Sequence, residues 1–166
     1  MERRRRTRPQ QVLVADDSAD IRELWRMWLN FWGFAVQEAR NGEEAVQKAR
    51  LSPPDLVLMD LWMPVLDGVE AMKQLKDDAR TAHVPVVALS AQTADPGEAE
   101  VTEAGAEAFI QKPCDVVKEG FRRHARSGNP RGLVRGHVRQ SLVETGSSWS
   151  LLISSHTPRE LVGATP

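Results

Sequence analysis

Cysteine is almost absent from this chain, since Cys114 is the only one among 166 residues. A single thiol cannot form an intramolecular disulfide and favours a reducing compartment, so we expect a cytoplasmic protein. Long apolar runs are missing too, because none approaches the roughly 20 residues that span a bilayer. The run at residues 12–15 is also too short for a signal-peptide core. We therefore expect no membrane span and no export signal.

An excess of charge of one sign is missing as well. The formal net charge is -1 and the pI is about 6.4, so the chain as a whole offers no electrostatic case for nucleic acid binding. Positive charge is concentrated at the start, in the arginines at 3–6 and in Arg8. A short terminal run of this kind is usually a solvated arm, with contact to nucleic acid or an acidic membrane as the alternative. We assign residues 1–10 to a basic N-terminal arm.

Metal-ligand spacing is absent among the histidines, which are scattered along the chain (His83, His124, His137 and His156), and we assign none as a ligand. The composition is 41% hydrophobic and 27% charged, which is typical of a folded globular protein. The length suits one domain with some surplus chain.

Short apolar runs alternate with amphipathic segments over the first three quarters of the chain. Strands are predicted at 12–15, 34–38, 55–60, 84–89 and 108–110. Helices are predicted at 21–32, at 43–51 after an Asn41-Gly42 turn, from Asp67-Gly68 onward, between Pro96 and Gly105, and near 116–126. This alternation predicts an α/β fold, a doubly wound five-stranded parallel sheet with helices on both faces.

The composition of the sequence changes after Ser127. Glycine, proline, serine and threonine become frequent, and the apolar residues show little sustained periodicity. We expect the folded domain to occupy residues 11–126 and residues 127–166 to form a flexible tail without an output domain. One apolar patch at 149–153 is long enough to dock on the domain and too short to form a second core.

Three carboxylates lie at or just beyond the ends of predicted strands. Asp16 and Asp17 follow the first strand, and Asp60 ends the third. Strand ends of a parallel sheet meet at one edge, where ligands bind at the point of reversed strand order. Clustered carboxylates repel each other unless a cation lies among them, and a hard ion such as Mg2+ is the natural occupant.

Two further strand ends bring other chemistry to the same edge. Ser90 closes the fourth predicted strand, and Lys112 follows the fifth. A hydroxyl and an ammonium group beside a metal-bound carboxylate suit the charged oxygens of a phosphoryl group. Asp60 can then act as the nucleophile of an in-line displacement and become an aspartyl phosphate.

Four motifs in register carry a resemblance to a known family. They are VLVADD at 12–17, LMDLWMPVLDG at 58–68, ALSA at 88–91 and GAEAFIQKP at 105–113. In order, spacing and residue type they resemble the receiver domain of bacterial two-component response regulators, over residues 11–126. The resemblance implies the flavodoxin-like receiver fold and a phospho-acceptor switch rather than an enzyme, although autodephosphorylation is compatible with it.

The resemblance also implies a role for each matching residue. Asp60 matches the phospho-acceptor, and Asp17 and Asp60 match carboxylate ligands of Mg2+. Asp16 is expected to act through a metal-bound water, and the carbonyl of Trp62 matches the main-chain ligand. The other matches are Lys112 for the lysine that pairs with phosphoryl oxygens, Ser90 and Phe109 for the switch pair, and Pro113 for a proline after a cis peptide bond.

Three positions depart from the family pattern. Trp62 is bulky where smaller or polar side chains are common, and it can hinder an attacking water. Cys114 stands where an aromatic residue often follows the Lys-Pro pair, and Gly120 interrupts the last predicted helix early. The last two departures lie at the surface that the last strand and helix are expected to form.

Simpler interpretations exist for single residues. Asp16 and Asp17 could cap a helix, Asp60 could be a turn residue, and Lys112 could be a solvated lysine. None of these interpretations explains why the three acids and the lysine all fall at the ends of predicted strands. The tryptophan stripe of the first helix is more often core than a partner-binding face. We expect Trp25 and Trp32, or their neighbours, in the core, with part of the wide stripe exposed.

Three functions remain open at this point. The leading one is a stand-alone receiver in a phosphorelay, phosphorylated by a histidine kinase or a histidine phosphotransfer protein and switching the binding of a downstream protein partner. Such a receiver is expected to be a monomer or a weak phosphorylation-dependent dimer. The second is a receiver whose output region is lost or altered. The third is a Mg2+-dependent phosphohydrolase, which is disfavoured because such enzymes usually carry an acid where Trp62 stands.

Overall fold

A computed structural model describes residues 8–91 and 97–112. Within them, five strands alternate with four helices. The strands are β1 (Gln11–Ala15), β2 (Ala35–Ala39), β3 (Leu56–Asp60), β4 (Val86–Ser90) and β5 (Ala108–Gln111). The helices are α1 (Ala19–Phe31), α2 (Gly42–Leu51), α3 (Gly68–Asp77) and α4 (Glu98–Glu103). The helix predicted near 116–126 and the tail predicted at 127–166 lie outside the described residues.

The strands form one sheet in the order β2-β1-β3-β4-β5, and every pair is parallel. This confirms the predicted five-stranded parallel sheet. The chain steps outward from β1 to β2 and then returns to the other side of β1 to form β3. The strand order therefore reverses between β1 and β3, and the carboxyl ends of these two neighbours border the crevice where such sheets bind ligands.

Helices cover both faces of the sheet, as predicted. On one face, α2, α3 and α4 pack against alternate strand residues such as Leu13, Met59 and Ala88. On the opposite face, α1 packs against the intervening residues, such as Val14 and Leu58. This two-sided burial follows from the period of two along each strand.

β3 and β4 lie inside the sheet and are buried at every residue. A strand covered on both faces is expected to be a continuous apolar run rather than an alternating one, as these two are. β4 begins at Val86, two residues later than predicted, and extends to Ser90. Pro85 has no N–H for the ladder, although its carbonyl still accepts a bond of 3.0 Å from Val57 N.

The tryptophans of α1 divide between core and surface. Trp25 and its neighbour Leu29 are buried, as predicted, and the ring of Trp28 packs edge-on against Trp25 with centroids 5.9 Å apart. Trp32 caps the helix and is only half-buried, so the prediction holds for Trp25 but not fully for Trp32. With 13 residues, α1 is the longest described helix, and no helix within 8–91 and 97–112 combines the length and apolar character of a membrane span.

The start of α2 differs from the predicted Asn41-Gly42 turn. Asn41 is the N-cap, and its Oδ1 accepts a hydrogen bond of 2.8 Å from Glu44 N. Gly42 is the first helical residue, and its N–H donates to the carbonyl of Leu66 at 3.0 Å. A Cβ at position 42 would lie 2.5 Å from that carbonyl oxygen, so this contact between α2 and the loop after β3 requires glycine.

The loop after β3 contains a strained residue. Val65 has a φ of 72°, and Leu66 N donates across it to the carbonyl of Pro64 at 2.9 Å. A three-residue turn with positive φ at its centre is the strained form of the γ-turn. Val65 is 76% exposed, so little packing offsets this strain.

Replacing Val65 with glycine is therefore expected to stabilise the protein. An L residue in left-handed backbone costs about 1–2 kcal/mol, and glycine removes this cost. Glycine also loses more conformational entropy on folding, which offsets about 0.5–1 kcal/mol of the gain. We expect the free energy of unfolding to rise by about 0.5–1 kcal/mol, measured by urea denaturation. Val65→Ala keeps the Cβ and should gain less. A lower urea midpoint for Val65→Gly than for wild type would show that the turn is not strained.

Candidate functional site

The predicted acids converge at the carboxyl edge of the sheet. Asp16 directly follows β1 and Asp60 ends the neighbouring β3, and both are buried. Asp17 is exposed, and one carboxylate oxygen from each of the three lies within 4.8 Å of the others. The register that pairs Ala15 with Met59 brings Asp16 and Asp60 to the same level. The structure therefore assembles the three acids that the sequence predicted to meet.

Lys112 joins this cluster from the end of β5, the strand at one side of the sheet. Its Nζ donates to Asp16 Oδ2 at 2.8 Å and to Asp60 Oδ2 at 3.0 Å. The backbone also ties it to β4, because Lys112 N donates to the carbonyl of Ser90 at 2.7 Å. One ammonium group therefore bridges two buried carboxylates that lie 44 positions apart in the chain.

The loop after β1 fixes the first acid through the start of α1. Asp16 Oδ1 accepts a bond of 2.9 Å from Ser18 N. Ser18 is the N-cap of α1, and its hydroxyl accepts from Ile21 N at 3.4 Å. With Lys112 on the other oxygen, both oxygens of Asp16 have donors, and its orientation is restrained.

Arg22 also binds the main chain of this loop. Its Nη1 donates to the carbonyl of Asp16 at 2.7 Å and to the carbonyl of Asp17 at 3.0 Å. Nothing in the sequence pattern distinguishes Arg22 from Arg26 one turn later, because both are arginines of an amphipathic helix. Its contact with the acid loop is visible only in the folded chain.

The loop after β3 turns tightly behind Asp60. Gly68 N donates to the carbonyl of Leu61 at 3.0 Å, and a Cβ at position 68 would lie 2.1 Å from the carbonyl oxygen of Asp60. Only glycine permits this approach. Trp62 N lies 3.4 Å from Asp60 Oδ1, and Trp62 is 47% exposed beside the site.

The pKa values of Asp60 and Lys112 reflect this crowding. Burial raises the pKa of Asp60, while the Lys112 ammonium opposes the rise and the nearby Asp16 carboxylate adds to it. Burial alone would lower the pKa of Lys112, but its bonds to Asp16 and Asp60 outweigh burial and raise it. Lys112 therefore stays charged, and the one cation it provides is shared between two acids.

The donor set fits a divalent cation. The three carboxylates and the Lys112 ammonium group together carry a net charge of -2, which one divalent ion would neutralise. The side-chain atoms that could bind the ion are all carboxylate oxygens, which are the hard ligands that Mg2+ prefers. In proteins, Mg2+ usually binds a few carboxylates and completes its coordination with water. Asp16, Asp17 and Asp60 are the side chains that would hold it.

The structure also gives the positions of Ser90 and Phe109 in the fold. Ser90 ends β4 and is buried, one position beyond the partner of Asp60 in the β3–β4 register. Phe109 lies in β5 and is half-buried against the core on the α4 side. The role of the Trp62 carbonyl as a metal ligand stays a prediction, and Pro113 lies outside the described residues.

Comparison of the sequence with known families and proteins agrees with this geometry. The family model described as response regulator receiver domain matches residues 12–118. The polar-differentiation response regulator DivK of Brucella anthropi is 37% identical over 110 residues, which cover 66% of this chain and 89% of DivK. The transcriptional regulatory protein ResD of Bacillus subtilis is 38% identical over 107 residues, or 64% of this chain and 43% of ResD.

Solved structures resemble the fold in the same way. The chemotaxis protein CheY4 of Vibrio cholerae superposes with a TM-score of 0.63 at 28% identity, covering 72% of this chain and 98% of CheY4. The receiver domain of the sensor histidine kinase PA1611 from Pseudomonas aeruginosa superposes with a TM-score of 0.64 at 25% identity, covering 72% of this chain and 96% of that domain. The latter structure has a magnesium ion coordinated in its active-site cleft.

Proposed function

Because this chain belongs to the response regulator receiver domain family, we propose that Asp60 accepts a phosphoryl group with the help of Mg2+ and Lys112. The observation that carries the proposal is the pair of bonds from Lys112 Nζ to Asp16 and Asp60. These bonds support the proposal, because Lys112 Nζ contacts both the proposed nucleophile and an acid proposed to help hold the metal. The chain also resembles a receiver domain whose structure contains magnesium in the active-site cleft.

Asp60 is the acid best suited to be the nucleophile. It lies at the end of the central β3, and its Oδ2 faces Lys112. One Asp60 oxygen would attack the phosphorus atom, forming an O–P bond. If the donor is a phosphorylated histidine, the P–N bond breaks and its electron pair returns to the imidazole ring. The Lys112 ammonium group would then pair with the phosphoryl oxygens. A preorganised cation at this position stabilises the negative charge of the transition state.

Asp16, Asp17 and Asp60 would hold the ion, with the Trp62 carbonyl as a main-chain ligand and Asp16 acting through a bound water. When bound, Mg2+ would neutralise negative charge on the phosphoryl oxygens. Asp16 suits an indirect role, because Ser18 N and Lys112 Nζ already donate to its two oxygens. Asp17 is the more accessible acid and is free to meet an ion entering from solvent.

Ser90 and Phe109 are proposed to carry the signal outward. A phosphoryl group on Asp60 would offer the Ser90 hydroxyl a charge-assisted hydrogen bond. The neighbouring register pairs, Ala88 with Phe109 and Ser90 with Gln111, connect this end of β4 to β5. A shift at Ser90 would therefore be felt at Phe109 and at the surface formed with α4. Pro113, after a cis peptide bond, would aim Lys112 into the site.

The proposed partners follow from this chemistry. A histidine kinase or a histidine phosphotransfer protein would supply the phosphoryl group, and a downstream protein would bind the switched surface. We propose a monomer or a weak phosphorylation-dependent dimer. We also propose a cytoplasmic location on the strength of the single cysteine. Membership of the receiver family favours this role over the phosphohydrolase that the sequence left open.

Phosphorylation is expected to depend on a divalent metal and on Asp17. The full chain would be incubated with a small phosphodonor and Mg2+, and intact mass would be recorded. We expect a mass increase of one phosphoryl group, which a chelator prevents because the clustered charge then lacks its cation. Asp17→Ala should lose most of the labelling by removing one ligand.

Asp20→Ala is the matched control for this experiment. Asp20 is an acid in the first turn of α1, three positions from Asp17, and it is not part of the acid cluster. It should label like wild type. Equal labelling of wild type with and without metal would contradict the proposed role of Mg2+, and full labelling of Asp17→Ala would remove Asp17 from the ligand set.

A further inference from the structure

Arg22 makes two hydrogen bonds to the loop that carries the acids. A single nitrogen, Nη1, lies 2.7 Å from the carbonyl oxygen of Asp16 and 3.0 Å from that of Asp17. The carbonyls of two consecutive residues therefore converge on one donor. Extended backbone points successive carbonyls in opposite directions, so this convergence marks the turn by which the chain leaves β1. The group that holds the turn is the guanidinium cation of Arg22.

The Arg22 side chain is itself well anchored. It is 16% exposed, and its Nε lies 3.6 Å from Glu38 Oε2. Glu38 belongs to β2, the strand that pairs with β1, so the guanidinium group is tied to the sheet as well as to the loop. Because Glu38 already restrains the guanidinium group, Arg22 loses less side-chain entropy on binding the loop than a freely rotating arginine would.

Arg26 shares this network without reaching the loop. Its Nε lies 3.3 Å from Glu38 Oε1, and it also pairs with Glu23 on the helix surface. Arg26 is 43% exposed. Among the contacts described for it, none involves Asp16 or Asp17. The two arginines therefore have the same charge and a common partner, and they differ in contact with the acid loop.

We propose that Arg22 is a positioning residue for the divalent cation. By holding the carbonyls of Asp16 and Asp17, it keeps their carboxylates turned towards Asp60, where the three acids have oxygens within 4.8 Å of one another. The inference rests on the proposed function, because it assigns Arg22 to the metal site of that function. Residues that orient metal ligands typically contribute about 10- to 100-fold to metal affinity.

Charge and positioning predict opposite results when Arg22 is removed. Loss of a positive charge next to an acid cluster makes the local potential more negative, which by itself favours a bound cation. Loss of positioning lets the Asp16 and Asp17 carboxylates turn away and weakens cation binding. The sign of the change in Mg2+ affinity therefore separates the two effects.

The test is Mg2+ titration of the full-length protein by calorimetry. We expect Arg22→Met to bind Mg2+ about 10-fold more weakly than wild type. Arg26→Met, which loses the same charge next to the same glutamate, should bind as wild type does. Phosphorylation of Arg22→Met by a small phosphodonor should need more Mg2+ but approach the wild-type rate at saturation, a split that a general folding defect would not produce.

Thermal unfolding in chelator checks that each variant is folded. Should Arg22→Met be unfolded, Arg22→Lys keeps the charge with a different donor geometry and should still bind Mg2+ more weakly than wild type. Equal or tighter binding by the folded Arg22 variant, or equal weakening in Arg26→Met, would overturn the inference. If wild type itself did not bind Mg2+, the proposed function would fail, which is a different result from a wild type that binds and an Arg22 variant that binds equally.

Discussion

Replacing Asp60 with asparagine is expected to abolish phosphorylation completely. Asparagine keeps the size of the side chain but has no carboxylate oxygen to form the bond to phosphorus. Labelling with a small phosphodonor and Mg2+, followed by intact mass, should show no adduct on Asp60→Asn where wild type gains one phosphoryl group. A phosphorylated Asp60→Asn protein would show that another residue is the acceptor.

The same substitution should stabilise the metal-free protein at neutral pH. The pKa of Asp60 is raised because burial disfavours its charged form, more than Lys112 compensates. A raised pKa means that folded protein binds this proton more tightly than the unfolded chain does. The resulting stability is present at low pH and is lost as pH rises through the folded pKa. Asparagine stays neutral, so the melting temperature of Asp60→Asn in chelator should exceed that of wild type at pH 7.

Two comparisons separate this effect from a general change in packing. At acidic pH, where Asp60 of wild type is protonated, the difference in melting temperature should shrink. Saturating Mg2+ should stabilise wild type by about 2.7 kcal/mol at a hundredfold excess over the dissociation constant, and it should not stabilise the variant.

Asp67→Asn is the matched control. Asp67 caps α3 in the loop after Asp60, asparagine caps a helix equally well, and the variant should still be phosphorylated.

The parts of the site that the sequence predicted are those set by strand ends. β3 and β4 are apolar at almost every position because both of their faces are covered, so their limits were close to those observed. Parallel pairing then places Asp16 and Asp60 at one edge without any further information. Ser90 and Lys112 follow by the same argument, since Ser90 ends β4 and Lys112 directly follows β5.

Other features depend on tertiary contacts that leave no periodic signal. Asn41 and Gly42 suit a turn as well as a helix start, and the approach of the Leu66 carbonyl to Gly42 favours the helix start. Val65 is a β-branched residue that propensity would not place at positive φ. Arg22 reaches the acid loop through a long flexible side chain, and its partners depend on where α1 packs. These are the places where neighbours, rather than local preference, decide the structure.

Removing the ammonium group of Lys112 is expected to have the second largest effect. In Lys112→Met, Asp16 and Asp60 lose the cation that bridges them at 2.8 and 3.0 Å. Breaking a buried ion pair by removing one partner typically costs about 3–5 kcal/mol. The cost should be smaller at low pH, because Asp60 can take up a proton, and it should grow as pH rises. Urea denaturation in chelator across a pH series measures this dependence.

Mg2+ should separate the structural role of Lys112 from its chemical role. A bound divalent cation would also neutralise the carboxylates, so Mg2+ should restore much of the stability of Lys112→Met. It should not restore phosphorylation, because the ammonium group would be missing from the phosphoryl oxygens. Removing one preorganised donor from a transition state typically slows a reaction by about 10²–10³-fold, and we expect a loss of that order in the labelling rate.

Lys112→Arg and Lys73→Met complete the test. Lys112→Arg keeps a cation at the strand end and should retain stability in chelator, with a labelling rate between those of wild type and Lys112→Met. Lys73 lies on α3 and is half exposed, 3.9 Å from Glu70, so Lys73→Met should change neither stability nor labelling appreciably. A Lys112→Met protein labelled at the wild-type rate would show that Lys112 only balances charge.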